Sequence, residues 1–167
     1  DVAIRIVEKP DPASLDACCA WACRLKGVLL TGRVTVGVAR RLLATGVPLV
    51  QVGELTDGPA PADLSQVTVD VQSLARLAVG HLAACGHRRI ALDAGRGSRY
   101  FEMLRAAFRG CMRECGLEAG SLEPELPGEW PSSEAMVQAL EAMRNPPTAM
   151  LVEGSGYATE LIDALSR

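Results

Sequence analysis

The stretch that decides the fold runs over residues 70–92 and reads DVQSLARLAVGHLAACGHRRIAL. Its first part has the apolar spacing of a helix, and one predicted helix face carries Leu74, Leu77, Ala78 and Leu82. Asp70 stands where a helix N-cap is expected, and Gly86 ends the helical pattern. A β-rich apolar run, 89–94, follows at once. The stretch therefore predicts a helix that leads directly into a strand.

The same alternation continues in both directions along the chain. Strands are predicted at 2–7, 27–31, 47–52, 67–69, 89–94, 122–126 and 148–152. Helices are predicted at 12–25, 35–44, 71–85, 100–115, 132–144 and 157–166, and the Pro- and Gly-rich segment 53–65 is predicted as a loop. Repeated βα units of this length predict an α/β fold with mostly parallel sheets flanked by helices. Continuous apolar runs such as GVLL at 27–30 favour burial on both sheet faces.

Composition excludes several classes of protein. The chain has 167 residues, of which 49% are hydrophobic and 22% charged, so it is not a disordered chain. A net charge of −3 excludes overall basicity as a basis for nucleic-acid binding. No apolar run reaches the roughly 18 residues of a membrane span.

The six cysteines leave two interpretations open. Cys19 and Cys23, like Cys111 and Cys115, are spaced to share one helix face, as metal ligands can be. Zinc would need further ligands, and His81 and His87 are the only histidines. We favour reduced cysteines that act as small hydrophobic residues in a cytoplasmic protein, with no metal and no cofactor.

Candidate binding residues follow the predicted strands, because ligands of parallel sheets bind beyond the carboxyl ends of the strands. These positions are Thr31–Arg33, Gly53–Glu54, Asp70, Gly95–Arg99 and Glu153–Ser155. Asp70 can cap the helix, bind a ligand hydroxyl, or do both. Trp130 can cover the core or stack on a sugar ring. The segment 95–98 lacks the glycine spacing of phosphate-binding loops, and neither histidine has an evident nucleophilic partner.

Several motifs occur in a recognisable order around the opening stretch. KGVLLTG at 26–32 and GVPLVQVGE at 46–54 precede it, and FRGCMRECGL at 108–117 and PPTAMLV at 146–152 follow it. Together they resemble the effector-binding domain of the lactose-repressor (LacI/GalR) family. The most specific part combines Asp70, the His-Leu pair at 81–82 and GHRRIAL at 86–92 at fixed spacing.

The resemblance implies a two-lobe, periplasmic-binding-protein-like fold with a ligand cleft between the lobes. Residues 1–86 would belong to the N-terminal lobe and 87–167 to the C-terminal lobe, and both lobes would be partial. Such a domain is about 100 residues longer than this chain, so the domain is expected to be incomplete at both ends. The implied partners are a small-molecule effector such as a carbohydrate, a second copy in a homodimer, and operator DNA. The DNA would be bound through a helix-turn-helix headpiece absent from this sequence, and no membrane partner is implied.

The resemblance also assigns roles to individual residues. Asp70 matches a position that hydrogen-bonds a sugar hydroxyl, and Trp130 a position where an aromatic ring stacks on the ligand. Phe108 aligns with the aromatic residue of an R-x-x-G-F motif, so Leu104 takes the arginine position. Arg105 is adjacent and would substitute if the helix were rotated or shifted.

The segment Glu153-Gly154-Ser155 stands where the family usually has an Asn-Asp pair. The loss of two usual polar anchors argues against an ordinary monosaccharide ligand. The candidate ligand-binding residues are Asp70, Trp130, Arg105, Glu153, Ser155 and Arg33.

The function predicted is therefore a sugar-like effector-binding and dimerisation domain of a LacI-type regulator, without enzymatic activity. A solute-binding protein of a transporter has the same fold class and is the alternative. A small α/β enzyme with cysteine chemistry is less favoured, because Cys85 lies at a helix C-terminus, where a thiolate is not stabilised.

Overall fold

The computed structural model describes residues 11–94, 98–117 and 132–166, without the side chain of Ser155. The helices are α1 (Pro12–Ala22), α2 (Val36–Leu43), α3 (Val71–Ala84), α4 (Arg99–Glu114), α5 (Ser133–Glu141) and α6 (Ser155–Leu165). The strands are β1 (Val28–Thr31), β2 (Leu49–Val52), β3 (Ser65–Val67), β4 (Ile90–Asp93) and β5 (Ala149–Val152). The strands predicted at 2–7 and 122–126 lie outside the described residues. The strand pairs among the described residues are all parallel, which confirms the predicted α/β fold class.

The chain divides into two compact units, and the division along the sequence falls between Thr68 and Val69. The second unit includes α3, whose buried residues share a hydrophobic cluster with α4 and β4. The lobe boundary predicted at residue 86 would place α3 in the other lobe. That boundary stays a prediction.

The first unit contains a sheet in the order β1-β2-β3. One face packs against α1 and α2, where Ala22, Ala39 and Leu42 form a cluster with Leu49. On the opposite face Leu29 is 69% exposed and Val67 60% exposed. In the part of the chain that the structure describes, this sheet is therefore covered on one face, and the burial of both faces expected from the run GVLL is wrong for β1.

The second unit contains β4 and β5 in register, with Ile90 opposite Ala149 and Asp93 opposite Val152. Side chains alternate between the two faces of a strand. Ile90 and Leu92 pack with α3 and α4, and Met150 and Val152 pack with α5 and α6. This sheet is therefore covered on both faces, as its continuous apolar sequence predicts.

The third strand differs from its predicted position. The sequence predicts a strand at 67–69, whereas β3 spans Ser65–Val67 and begins at the end of the predicted loop. Its register with β2 explains the shift, because Val67 pairs with Val52, the last residue of β2. The backbone N–H of Gly53 then donates to the carbonyl of Val67 at 2.9 Å and closes the ladder. Val69 therefore lies beyond the sheet.

The buried face of α3 also differs from the predicted one. Val71, Ala75 and Val79 point into the core and are at most 4% exposed. By contrast, Leu77 is 74% exposed. The buried residues and the exposed leucines both follow helical spacing. The helix buries the face with alanine and valine because these smaller side chains allow close approach to α4. The prediction that the Leu74–Leu77 face is the apolar contact is therefore wrong for these two leucines.

Helix starts follow the predicted capping chemistry. Asp11, Thr35, Ser98 and Ser132 each accept a hydrogen bond from a backbone N–H in the first turn of the helix that follows. Asp70 caps α3 most fully: its carboxylate accepts from the N–H groups of Gln72 and Ser73 and from the Ser73 hydroxyl. Such caps satisfy donors that a helix cannot satisfy internally. Among the described residues no helix is long and apolar enough to cross a bilayer.

The cap of α3 predicts a pH dependence of stability. The hydrogen bonds from Ser73 hold the pKa of Asp70 below its ordinary value of 3.8. A carboxyl whose pKa is lower in the folded state stabilises the fold above its unfolded pKa, and this contribution is lost as pH falls through the folded pKa. We expect Asp70→Asn to lower the free energy of unfolding at pH 7 and to have little effect well below about pH 4. Urea unfolding of both proteins across this pH range measures the difference.

The control for this measurement is Asp63→Asn. Asp63 is exposed in the loop before β3 and caps none of the described helices. Its substitution should leave the free energy of unfolding nearly unchanged at both pH values. A constant difference between Asp70→Asn and the parent protein from pH 7 to pH 3 would show that the charge of Asp70 has no part in the cap.

Candidate ligand-binding site

Polar groups gather at the carboxyl edge of the β4–β5 sheet. Asp93 is the last residue of β4, and Glu153 follows the last residue of β5. The backbone N–H of Glu153 donates to the carbonyl of Asp93 at 3.0 Å, so the two strand ends stay joined. Because parallel strands end at the same edge, residues 60 positions apart in the chain become neighbours here.

The backbone after β5 turns sharply to enter α6. Gly154 has a φ of 105° and stands at the N-cap position of α6, with no side-chain cap. This φ is accessible to glycine and strained for residues with a Cβ. The turn sets Glu153 at the sheet edge, where its side chain is exposed. The side chain of Ser155, another predicted site residue, lies outside the description.

Two tyrosines flank this edge from the first turns of the helices that follow the strands. Tyr100 lies in α4 beside Phe101, with ring centroids 5.4 Å apart in an edge-to-face arrangement. Burial and the nearby charge of Glu153 raise the pKa of Tyr100. Tyr157 lies in α6, and burial, followed by the charges of Asp93 and Glu160, raises its pKa. Both phenols therefore remain protonated at neutral pH. The Tyr157 hydroxyl donates to the sulfur of buried Met136 in α5 at 3.3 Å, so this phenol is engaged within the core.

An arginine of α4 lies at the same edge of the sheet. The Arg105 guanidinium donates to the carbonyl of Ala94 at 2.5 Å, one residue beyond β4. Leu104, at the position where the resemblance expects arginine, is instead buried in the core with Phe108. The arginine of this chain therefore stands one residue beyond the position that the resemblance implies. The orientation of α4 nevertheless brings its charge to the predicted edge.

The other predicted residues occupy separate places. Asp70 lies three residues after β3 and caps α3. Its two carboxylate oxygens accept three hydrogen bonds from Gln72 and Ser73. They can still accept a further hydrogen bond from a ligand. Arg33 is exposed two residues after β1 in the first unit. Trp130 and the segment 95–97 lie outside the described residues. Within the second unit, the structure brings Arg105 and Glu153 to the same sheet edge.

Three residues near this edge are not among the predicted site residues, namely Asp93, Tyr100 and Tyr157. Asp93 is the last residue of β4 and lies inside the predicted strand at 89–94. The tyrosines were assigned to helices. Their signal was available, because aromatic residues in the first turn of a helix that follows a parallel strand lie near the carboxyl edge of the sheet.

The histidines and cysteines lie away from this edge or lack the partners of a catalytic or metal site. The His87 Nδ1 and Thr148 Oγ1 atoms are 3.1 Å apart, on the amino side of β4 and β5. His81 Nε2 lies 3.8 Å from the Cys85 sulfur at the end of α3. No cluster of three metal-binding side chains occurs among the described residues. The cysteines are free, and Cys23, Cys85 and Cys115 are exposed, so the small-hydrophobe interpretation suits mainly buried Cys111.

A pocket of about 460 Å³ lies elsewhere, in the first unit. It is lined by Arg40, Leu43 and Ala44 at the end of α2 and by Pro61, Ala62 and Asp63 before β3. Helices that connect parallel strands end near the amino ends of the strands, so this pocket lies opposite the carboxyl edge of its sheet. Ligands of parallel sheets bind at the carboxyl edge. We therefore place the candidate site at the carboxyl edge of the β4–β5 sheet and not in this pocket.

Comparisons with known proteins identify the family and the fold of the chain. The model of the family described as "Periplasmic binding protein-like domain" matches residues 79–167, more than half of the chain. No curated protein matches the chain. A LacI transcriptional regulator from a Rhodococcus species has a similar structure, with 26% sequence identity and a TM-score of 0.73. That similarity covers 96% of this chain and 58% of the regulator, so the chain spans less than two thirds of its structural relative.

Two further structures share the fold. A complex of the transcriptional regulator CelR with cellobiose is 21% identical, with a TM-score of 0.70 over 93% of this chain and 49% of the regulator. A LacI-family regulator from Bifidobacterium animalis subsp. lactis is 20% identical, with a TM-score of 0.70 over 95% of this chain and 58% of the regulator. Both confirm the predicted periplasmic-binding-protein-like architecture. The chain belongs to the periplasmic binding protein-like domain family, and its resemblance to the LacI-family regulators is confirmed.

Proposed function

We propose that the chain is the effector-binding and dimerisation domain of a LacI-type transcriptional regulator that acts in the cytoplasm. It binds a small, sugar-like molecule and controls operator binding by a helix-turn-helix headpiece outside this sequence. The observation that carries the proposal is the similarity to a LacI regulator over 96% of the chain. The CelR structure, which contains cellobiose, supports a carbohydrate-like ligand.

The site chemistry supports a binding role. The sheet edge carries the carboxylates of Asp93 and Glu153, the protonated phenol of Tyr100 and the guanidinium of Arg105. Such groups hold a ligand by directional hydrogen bonds and ring contacts. A nucleophile with an adjacent base, which covalent catalysis needs, is not found at this edge among the described residues. The arrangement therefore favours binding without chemical conversion.

Allosteric control requires a difference in ligand affinity between two conformations of the protein. A ligand that binds one conformation more tightly shifts the population towards it and changes operator affinity by a corresponding factor. Operator affinity also depends on salt, because DNA binding releases counterions from the phosphates.

The complete regulator provides the test of the proposed function. Calorimetry against sugars, nucleosides and sugar phosphates should identify at least one ligand. That ligand should change the affinity of the complete protein for operator DNA, and raising the salt concentration should weaken operator binding. A ligand bound by a protein that fails to recognise any DNA upstream of its gene would favour the solute-binding alternative. Absence of binding across the whole panel would remove the sensor role.

Exposed apolar side chains support dimerisation. In the described part of the chain, Leu77 on α3 is 74% exposed and Ile162 on α6 is 63% exposed. Contact with a second copy would remove such surface from water. Light scattering coupled to size-exclusion chromatography should give twice the mass of one chain for the protein at micromolar concentration. A mass of one chain at all concentrations tested would contradict the dimer.

The position of Arg105 predicts its effect on binding. The guanidinium binds the Ala94 carbonyl and has a further interaction within the protein. A hydrogen bond that it also donates to the ligand would contribute about 1.5–3 kcal/mol. We expect Arg105→Ala to weaken ligand binding about tenfold or more while the protein keeps its fold. Arg113→Ala is the matched control, because Arg113 is exposed in the last turn of the same helix. Equal affinities of the two variants, measured by calorimetry, would show that Arg105 does not contribute to the site.

A further inference from the structure

The exposed face of α3 carries a histidine and a cysteine at the C-terminal end of the helix. His81 Nε2 lies 3.8 Å from the Cys85 sulfur, and both side chains are exposed. Residues four positions apart lie one turn apart on the same helix face, so the backbone of α3 holds the two side chains together. Within the part of the chain that the structure describes, neither side chain has another polar partner.

The separation of the two atoms suits two bonds to one zinc ion. Zinc binds a histidine nitrogen at about 2.0–2.1 Å and a cysteine sulfur at about 2.3 Å. Two such bonds span the observed distance when the angle between them at the metal is about 120°, and the angles of a tetrahedral site are about 110°. The pair can therefore hold zinc with little movement of either side chain.

The end of α3 also favours a bound cation. Cys85 is the C-cap residue of the helix, and Gly86, with a φ of 91°, turns the chain away from it. The C-terminal end of a helix carries a partial negative charge, which stabilises a nearby positive charge. A free thiolate gains nothing at this position. A metal ion, however, deprotonates the thiol that coordinates it, and the proton passes to solvent.

One copy of the chain supplies only half of a zinc site. Structural zinc sites have four protein ligands, and two cysteines with two histidines form one of the usual sets. No group of three metal-binding side chains occurs in the described ranges, so His81 and Cys85 have no third ligand there. A two-fold axis beside α3 would bring the same pair from a second copy and complete the set.

The same helix face has apolar surface for contact with a second copy. Leu77 lies one turn before His81 and Leu74 lies two turns before it, and both leucines are exposed. In a two-fold contact each copy presents the same surface, so the leucines of the two copies would pack together where the two ligand pairs meet. The incomplete ligand set and the exposed leucines therefore call for the same partner.

We propose that two copies of the chain bind one zinc ion through His81 and Cys85 of each copy. Cys111 and Cys115 have the same helical spacing, but Cys111 is buried in the core, so that pair cannot bind zinc from solvent. The inference rests on the dimerisation in the proposed function, to which it adds a contact and a ligand. It does not depend on the effector.

Zinc titration of the metal-free protein in reducing buffer tests the site. Calorimetry should give one zinc ion per two chains. Cobalt(II) in place of zinc should produce the absorption bands of a tetrahedral site with thiolate ligands. Light scattering over a dilution series should show that the protein with zinc keeps the mass of two chains at concentrations where the protein with EDTA has dissociated.

Three variants locate the ligands. Cys85→Ser and His81→Ala each remove two ligands from the complete site, and each should weaken zinc binding about tenfold or more. Cys115→Ser is the matched control, because Cys115 is an exposed free cysteine at the C-cap of α4, as Cys85 is at the C-cap of α3. It should leave zinc binding unchanged. Thermal unfolding in EDTA checks that each variant keeps the fold.

The outcomes separate the zinc site from the dimerisation on which it rests. Absence of zinc binding, one zinc ion per chain, or equal zinc affinities of Cys85→Ser and Cys115→Ser would each overturn the site. A dimer whose dissociation is the same in zinc and in EDTA would also overturn it and leave the proposed dimerisation intact. The mass of one chain under both conditions would overturn the two together.

Discussion

The parallel pairing of β4 with β5 is the contact on which the candidate site depends. Four residues of each strand pair in register, and the N–H of Glu153 extends the pairing to the carbonyl of Asp93. Burial of apolar side chains on both faces holds the strands between two helical layers, one formed by α3 and α4 and the other by α5 and α6. Because the strands run in the same direction, Asp93 at the end of β4 and Glu153 after β5 lie at the same edge of the sheet.

Much of the fold was predictable from local patterns. Every helix and strand within the described residues corresponds to a predicted element, because apolar periodicity, N-caps and glycine ends act over a few residues. The predictions fail where the position or the buried face of an element depends on the element that it pairs with or packs against. The position of β3 follows from its register with β2, and the exposed Leu77 follows from the close packing of α3 on α4 through Ala75 and Val79. Neither contact is visible in the local sequence.

The candidate site was predicted less completely than the fold. The strand-end rule found Glu153, and the resemblance directed attention to Arg105, but Asp93, Tyr100 and Tyr157 were assigned to strand or helix and not to the site. A side chain at the end of a strand or helix reaches the site only if it lies on the face directed towards it. Which face that is depends on how the strand or helix packs in the fold. The Asp70 cap shows that one residue can serve the fold and still retain acceptor capacity for a ligand.

By itself the sequence determined the alternation of strands and helices, the capping of the helices and the family to which the chain belongs, because these depend on residues close together in the chain or on motifs at fixed spacing. The tertiary structure decided which helix faces are buried, where β3 begins and which polar groups share the edge of the β4–β5 sheet. The physical reason is that burial and strand pairing are properties of contacts between distant residues. Asp93 and Glu153 become neighbours only when two strands separated by more than 50 residues pair in one register.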